Sequence, residues 1–256
     1  MVIMVPQTRP FVGRQRQVCS TDSNLDRVIS RVAVLPHPPL LVPELVVGDD
    51  ADVAVVRATA LAVAKELTQV ARRWTVVGVG PAVTGRAGTF RGFGVDVRVE
   101  LGPDAADEAA DPDMPLPALV AGWLREQVGA EEVTVNLVPA DLSPADCLEL
   151  GAHLTDTALL VLGDGSHRHG ERAVGRPDPR AEAFDNTVAD AFAQVDLDAL
   201  GALDPEVAGE LGAVGRAPWQ VLAGAIAADG RAWRCVESSL LIPFGVAYHF
   251  AVWDPA

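Results

Sequence analysis

Two short apolar segments, separated by a long amphipathic segment, constrain most strongly how this chain can fold. Residues 32–35 and 74–80 are apolar runs with the length of buried strands. Between positions 53 and 70, apolar side chains recur every three or four residues, which is the period of a helix with one buried face. A strand, a helix and a strand in succession form a βαβ unit, which favours parallel strand pairing and a right-handed crossover. The segment therefore predicts an α/β protein.

The pattern continues to the C-terminus. The last two strands are predicted over residues 232–242 and 246–253, and so short a link between them requires antiparallel pairing. The predicted fold class is α/β, a single domain over residues 31–256 with a central mixed, largely parallel sheet flanked by helices and an antiparallel C-terminal strand pair. Further strands are predicted over residues 94–101, 133–137 and 158–162, helices over 116–128, 143–154, 181–194, 204–211 and 216–230, and a turn over 196–200.

Residues 1–30 differ from the rest of the chain. They contain arginines among glutamines and serines and show no sustained apolar period. This composition is typical of a disordered or loosely attached extension. An arginine-rich arm that binds anions is the alternative.

Composition limits the classes of partner. The net charge of −15 argues against nucleic acid, because binding to a phosphate backbone usually needs a basic face. The three cysteines are scattered, which fits free thiols in a reducing compartment better than a disulfide framework. No apolar run approaches the roughly 18 residues of a membrane span, and the N-terminus lacks the pattern of a secretory signal. The expectation is a cytoplasmic protein that binds neither nucleic acid nor membrane.

A histidine between prolines follows the first predicted strand. The prolines at positions 36, 38 and 39 stiffen the chain as it leaves the strand and place His37 at the strand's carboxyl end. Open α/β sheets bind their ligands at this edge, so His37 is a candidate site residue. The alternative is a rigid turn with an ordinary histidine at its rim.

A second candidate segment, residues 163–170, follows the fully apolar strand predicted at 158–162. It carries Asp164, His167 and His169 between glycines. An aspartate this close can orient a histidine for acid–base catalysis, so His167 and Asp164 are candidate catalytic residues. His167 and His169 form a His-x-His pair that could hold a metal, although no third ligand is predicted nearby. A polar surface turn is the alternative, and His249 and His153 are expected to be structural.

These segments resemble a known family. Residues 34–40 and 163–167, together with 203–205 and 215–222, are similar to the class III extradiol ring-cleavage dioxygenases. The similarity is narrowest to proteins that resemble the catalytic chain of these enzymes, of the protocatechuate 4,5-dioxygenase β-subunit type, in their actinobacterial branch. The resemblance covers residues 31–254 and implies a small catecholic aromatic substrate, with a small partner subunit or a homo-oligomer.

The resemblance also implies a cofactor and residue roles. Enzymes of this family hold non-haem Fe(II) with two histidines and one glutamate, which leaves positions open for catechol and dioxygen. A further histidine serves as acid and base. His37 matches the first metal histidine, and His167 falls where the acid–base histidine is expected.

The chain departs from the family pattern at the other two ligands. Residues 75–152 contain no histidine, and residues 216–220 contain no glutamate. Two hypotheses follow. The first is an Fe(II) dioxygenase with an unusual ligand set drawn from His37, His167, His169 and Asp164. The second is a catalytically degenerate, metal-free relative whose cleft binds a small molecule or a protein partner.

Overall fold

The computed structural model describes residues 29–154 and 157–256, so positions 1–28 of the predicted extension lie outside the described residues. The strands are β1 (Ile29–Leu35), β2 (Arg73–Val79), β3 (Ala87–Thr89), β4 (Arg98–Glu100), β5 (Glu132–Val138), β6 (Thr157–Leu162), β7 (Trp233–Leu241) and β8 (Tyr248–Pro255). The α-helices are α1 (Ala51–Val70), α2 (Leu116–Val128), α3 (Pro144–Ala152), α4 (Arg180–Gln194), α5 (Leu197–Gly201), α6 (Pro205–Leu211) and α7 (Arg216–Asp229).

The main sheet has six strands in the order β5-β2-β6-β1-β8-β7. The first four are parallel to their neighbours, whereas β8 is antiparallel to both β1 and β7. The predicted α/β class, the largely parallel sheet and the closing antiparallel pair are thereby confirmed. β1 and β2 run in the same direction, as the βαβ pattern predicts, but they are not neighbours because β6 lies between them.

Side chains of the sheet alternate between two cores. In β1, Ala33 and Leu35 face one core while Val32 and Val34 face the other, and all four are fully buried. Residues of α1 and α2 complete the first core, and residues of α3, α4, α5 and α7 complete the second. Because helices cover both faces, a central strand such as β6 is apolar throughout and shows no alternation in sequence.

Helix starts follow the capping residues in the sequence. The Asp50 carboxylate accepts hydrogen bonds from the backbone N–H groups of Asp52 and Val53 at the start of α1. Ser143 caps α3 in the same way, followed by a proline at the first helical position. In the described part of the chain, no helix is both long and apolar enough to cross a membrane.

Three local predictions differ from the structure. The strand predicted over residues 94–101 is confined to β4, which pairs with β3 in a separate two-stranded sheet. Residues before it turn sharply, because Gly94 takes a left-handed φ of 99° and Asp96 forms an ion pair with Arg91. The turn predicted at residues 196–200 is the short helix α5, capped by Asp196, and α3 ends two residues earlier than predicted.

Two glycines let α3 and α7 pack with their backbones in contact. A side chain at Gly151 would collide with the carbonyl oxygen of Val221, and one at Gly224 would collide with the carbonyl oxygen of Leu148. Because the obstacle is backbone, no side-chain rotation can relieve it. The two helices therefore require glycine at these positions.

We predict that Gly224→Ala lowers the free energy of unfolding by about 2–3 kcal/mol, as overpacking does in other cores. Urea denaturation measures this change. Gly209→Ala in α6 is the matched control, since no heavy atom of the described structure lies within 4 Å of the added methyl group. That control should be neutral or stabilising by ~0.5–1 kcal/mol, because alanine favours helix more than glycine does. Equal effects of the two substitutions would contradict the close-packing account.

Candidate functional site

The carboxyl ends of β1 and β6 form a crevice from which the chain leaves in opposite directions. β1 leads to α1 in the first core, whereas its neighbour β6 leads to α4 in the second core. Neighbouring strands connected in this way leave room for a ligand at their carboxyl ends. His37 and Asp164 each lie just beyond the end of one of these strands. The structure therefore brings together two of the residues that the sequence singled out.

His37 and Asp164 are in direct contact. The backbone N–H of His37 donates to Asp164 Oδ1 over 2.9 Å, and the ring Nδ1 of His37 lies 3.7 Å from the same oxygen. His37 is 7% exposed, and its Nδ1 has no hydrogen-bond partner among the described residues. A largely buried imidazole beside a carboxylate can exchange a proton with a bound hydroxyl group.

Tyr248 adjoins this pair. Extending the antiparallel register of Val34 with Ala251 by three residues brings Tyr248 opposite His37. Burial, and then the negative charge of Asp164, raise the pKa of the Tyr248 phenol well above its usual value. The tyrosine therefore stays protonated through the neutral range and can act there only as a neutral hydroxyl.

Below the crevice, a buried carboxylate joins two histidines. Asp185 on α4 is fully buried and lies 2.6 Å from His169 Nε2 and 2.9 Å from His249 Nε2. The backbone N–H of Ser166 donates to both of its oxygens. Gly165 passes so close that a side chain there would collide with Asp185 Oδ1. This cluster fixes the loop that carries Asp164.

The other histidines of the loop have partners away from the crevice. His167 Nδ1 lies 3.0 Å from the carbonyl oxygen of Val174, and its ring packs against Gly212, where an added side chain would collide with it. His169, a candidate metal ligand in the sequence, directs Nε2 to Asp185. His37 and Asp164 therefore meet, while His167 and His169 have separate partners.

The start of α7, where the family glutamate is expected, holds a different network. Arg216 is buried and donates to the carbonyl oxygens of Ala140 and Leu142 and to the side chain of Gln220. Gln220 in turn donates to the carbonyl oxygens of residues 201 and 203. These groups tie loops to α7 and supply no carboxylate.

The residues present do not fit a three-ligand iron site. Over residues 29–154 and 157–256, no group of three or more His, Cys, Asp and Glu side chains is arranged to hold a metal ion. His37 has Asp164 beside it, but Asp164 Oδ1 already accepts the His37 backbone N–H. A facial triad needs a second histidine and a further carboxylate converging on one point.

A larger surface cavity of about 470 Å³ lies elsewhere, between residues 43–49 and the start of α1. Its polar groups are engaged in structural bonds. Asp50 caps α1, and the Arg57 guanidinium donates to the carbonyl oxygens of Leu40 and Leu41. Its size alone does not make it the better candidate, because the described residues that line it include no acid–base pair.

Sequence reasoning missed Asp185 and Tyr248. Asp185 occupies a position in the apolar stripe of α4, between the buried Ala181 and Val188. A charged residue on the buried face of a helix needs a partner, and this was the available signal. For Tyr248 the sequence carries no comparable signal, because an aromatic residue in a strand is ordinary.

Comparison with known proteins does not assign a family. No protein-family model matches the chain, and no curated protein matches it. Among solved structures, the chain is similar to the uncharacterized protein JW3007 from Escherichia coli K12, with 15% sequence identity and a TM-score of 0.49 over 88% of this chain and 99% of that chain. That similarity carries no information on function. The resemblance to extradiol dioxygenases therefore stays a prediction.

Tyr248 is the only tyrosine in the sequence, so its ionisation can be followed alone. We predict that native protein shows no tyrosinate absorbance at pH of about 10, where the urea-unfolded chain is half ionised. Since the folded pKa is raised, its contribution to stability is complete below about pH 10 and is lost as pH rises further. Tyr248→Phe should remove this part of the alkaline loss. Native titration at the ordinary tyrosine pKa would contradict the burial.

Asp185 should be essential for stability. Replacing it with alanine leaves two imidazole N–H groups and the Ser166 amide without an acceptor, so Asp185→Ala should cost about 3 kcal/mol or more in urea denaturation. Asp190→Ala, at an exposed position on the same helix, is the control and should cost under ~0.5 kcal/mol. A cost below about 1 kcal/mol for Asp185→Ala would mean that these hydrogen bonds contribute little.

Proposed function

We propose that the crevice at the ends of β1 and β6 binds a small hydroxylated aromatic molecule of the catechol class without a resident metal. The contact between His37 and Asp164 carries this proposal. An imidazole and a carboxylate from two neighbouring strands meet where an α/β sheet binds its ligands. The resemblance to ring-cleavage enzymes supports an aromatic ligand.

The proposed roles follow from the groups present. His37 exchanges a proton with one ligand hydroxyl, and Asp164 holds the backbone of His37 in place and accepts from a second hydroxyl. The Tyr248 hydroxyl remains protonated beside them and adds a neutral polar group. The Asp164 carboxylate lies next to no basic side chain other than His37 in the described ion pairs. A neutral catechol is therefore favoured over one that carries a carboxylate.

Fe(II) ring cleavage is the competing function. It rests on the sequence resemblance and on His37, whereas the donor set around His37 in the described residues lacks the ligands for it. The two proposals differ in one measurable property. A metal-free binding protein takes up catechol in the presence of a chelator, and a dioxygenase consumes oxygen once it is supplied with Fe(II).

Calorimetric titration in EDTA tests binding. We predict that catechol binds to the full chain more tightly than protocatechuate does, and that His37→Gln weakens catechol binding about fivefold, the effect of one lost hydrogen bond. Asp164→Asn keeps an acceptor for the His37 N–H but removes the charge, so it should narrow the difference between the two ligands. His153→Gln, at the exposed end of α3, is the control and should leave binding unchanged.

The same preparation, loaded anaerobically with Fe(II) and then given oxygen and catechol, tests the competing function. The expected oxygen uptake equals that of free Fe(II). Uptake that depends on His37 would overturn the metal-free proposal in favour of the dioxygenase. Absence of any catechol binding in EDTA would overturn the binding proposal itself.

A further inference from the structure

A second cleft lies on the other side of His249, between α4 and the last two strands. It encloses about 230 Å³. Its walls are mostly apolar and it opens to solvent at its rim. The side chains that matter here are Ala189, Phe192 and Ala193 of α4, Ser238 and Leu240 of β7, and His249 of β8.

His249 brings an unpartnered polar atom to this cleft. The residue is 1% exposed, and its Nδ1 is buried with no hydrogen-bond partner in the described structure. Its ring packs edge-on against Trp219 and Phe192, with centroid distances of 5.3 and 5.8 Å. A buried acceptor without a donor costs roughly 1–3 kcal/mol, so native proteins rarely leave one without a partner.

Asp185 decides which hydrogen-bonding role that atom has. The carboxylate accepts from His249 Nε2 at 2.9 Å, so the hydrogen of the neutral ring is on Nε2. Nδ1 is then a bare lone pair that needs an O–H or N–H donor. A charged ring would instead place a second N–H donor in an aromatic environment with no acceptor in the described structure, which is less favourable.

We propose that this cleft, defined by the six side chains named above, is a binding site for a small apolar molecule that carries one hydrogen-bond donor, such as an aliphatic alcohol. The donor bonds to His249 Nδ1 and the hydrocarbon part packs on the alanines, Phe192 and Leu240. Asp190 lies at the rim and disfavours anions. The site is separate from the crevice at His37, and its test does not depend on the catechol proposal.

The cleft is joined to the crevice loop through hydrogen bonds. Asp185 holds His249 on one oxygen, His169 on the other, and the Ser166 N–H on both. A ligand that bonds to His249 therefore contacts the same network that positions Asp164.

Titration of cyclohexanol and cyclohexanone into ¹⁵N-histidine-labelled full chain tests the proposal. The two probes have nearly the same size, but only the alcohol has a donor. The alcohol is expected to shift the Nδ1 resonance of His249, assigned by its loss in His249→Gln, and to bind about fivefold more tightly than the ketone. Equal binding of both probes, tighter binding of the ketone, or no shift with the alcohol would each overturn the proposal.

A blocking variant tests the location. Ala189→Leu fills the cleft without removing His249 and should abolish the shift. Ala183→Leu, at an exposed position earlier on α4 that does not line the cleft, is the control and should bind cyclohexanol like the unmodified chain. Both variants retain the His249 resonance, which shows that the fold is intact. A shift that survives in Ala189→Leu would place the ligand elsewhere and overturn the proposal.

Discussion

The carboxylate of Asp185, which water does not reach, holds together three parts of the chain that lie far apart in sequence. The rings of His169 and His249 and the amide of Ser166 all bond to it. A buried charge is tolerated only when its donors are in place, so the loop after β6 has little freedom once α4 and β8 have packed. Asp164 belongs to that loop, and its position beside His37 follows. Residues that do not line the crevice therefore determine its geometry.

Much of the fold could be predicted because local chemistry decides it. The helix starts at Asp50 and Ser143 follow from side chains that satisfy free N–H groups, and the apolar run of β6 follows from helices on both faces. The position of β6 between β1 and β2 could not be read in this way, because strand order depends on contacts between residues that are distant in sequence. The same limit applies to Asp185, whose partners become visible only in three dimensions.

The candidate site shows how loosely fold and activity are connected. His37 could be identified from its place at a strand end, and Asp164 from the glycine-rich loop, since both follow from sheet topology. The roles assigned by resemblance depend instead on further ligands, and residues 216–220 have an arginine and a glutamine tied to backbone carbonyls where a glutamate is expected. One α/β sheet can support many chemistries, so function has to be argued from the groups present at the crevice.

The insertion of β6 between β1 and β2 has a consequence for the order of folding. Within the described chain, β1 pairs with β6 and β8, whereas β2 pairs with β5 and β6, so the first strand–helix–strand segment contains no native strand pairing of its own. The ladder between β2 and β5 can form early, but β1 must wait for partners synthesised much later. Closing such distant pairs is slow, because the entropy of a long loop is lost before the contacts form. The crevice at His37 is therefore among the last parts of the molecule to be assembled.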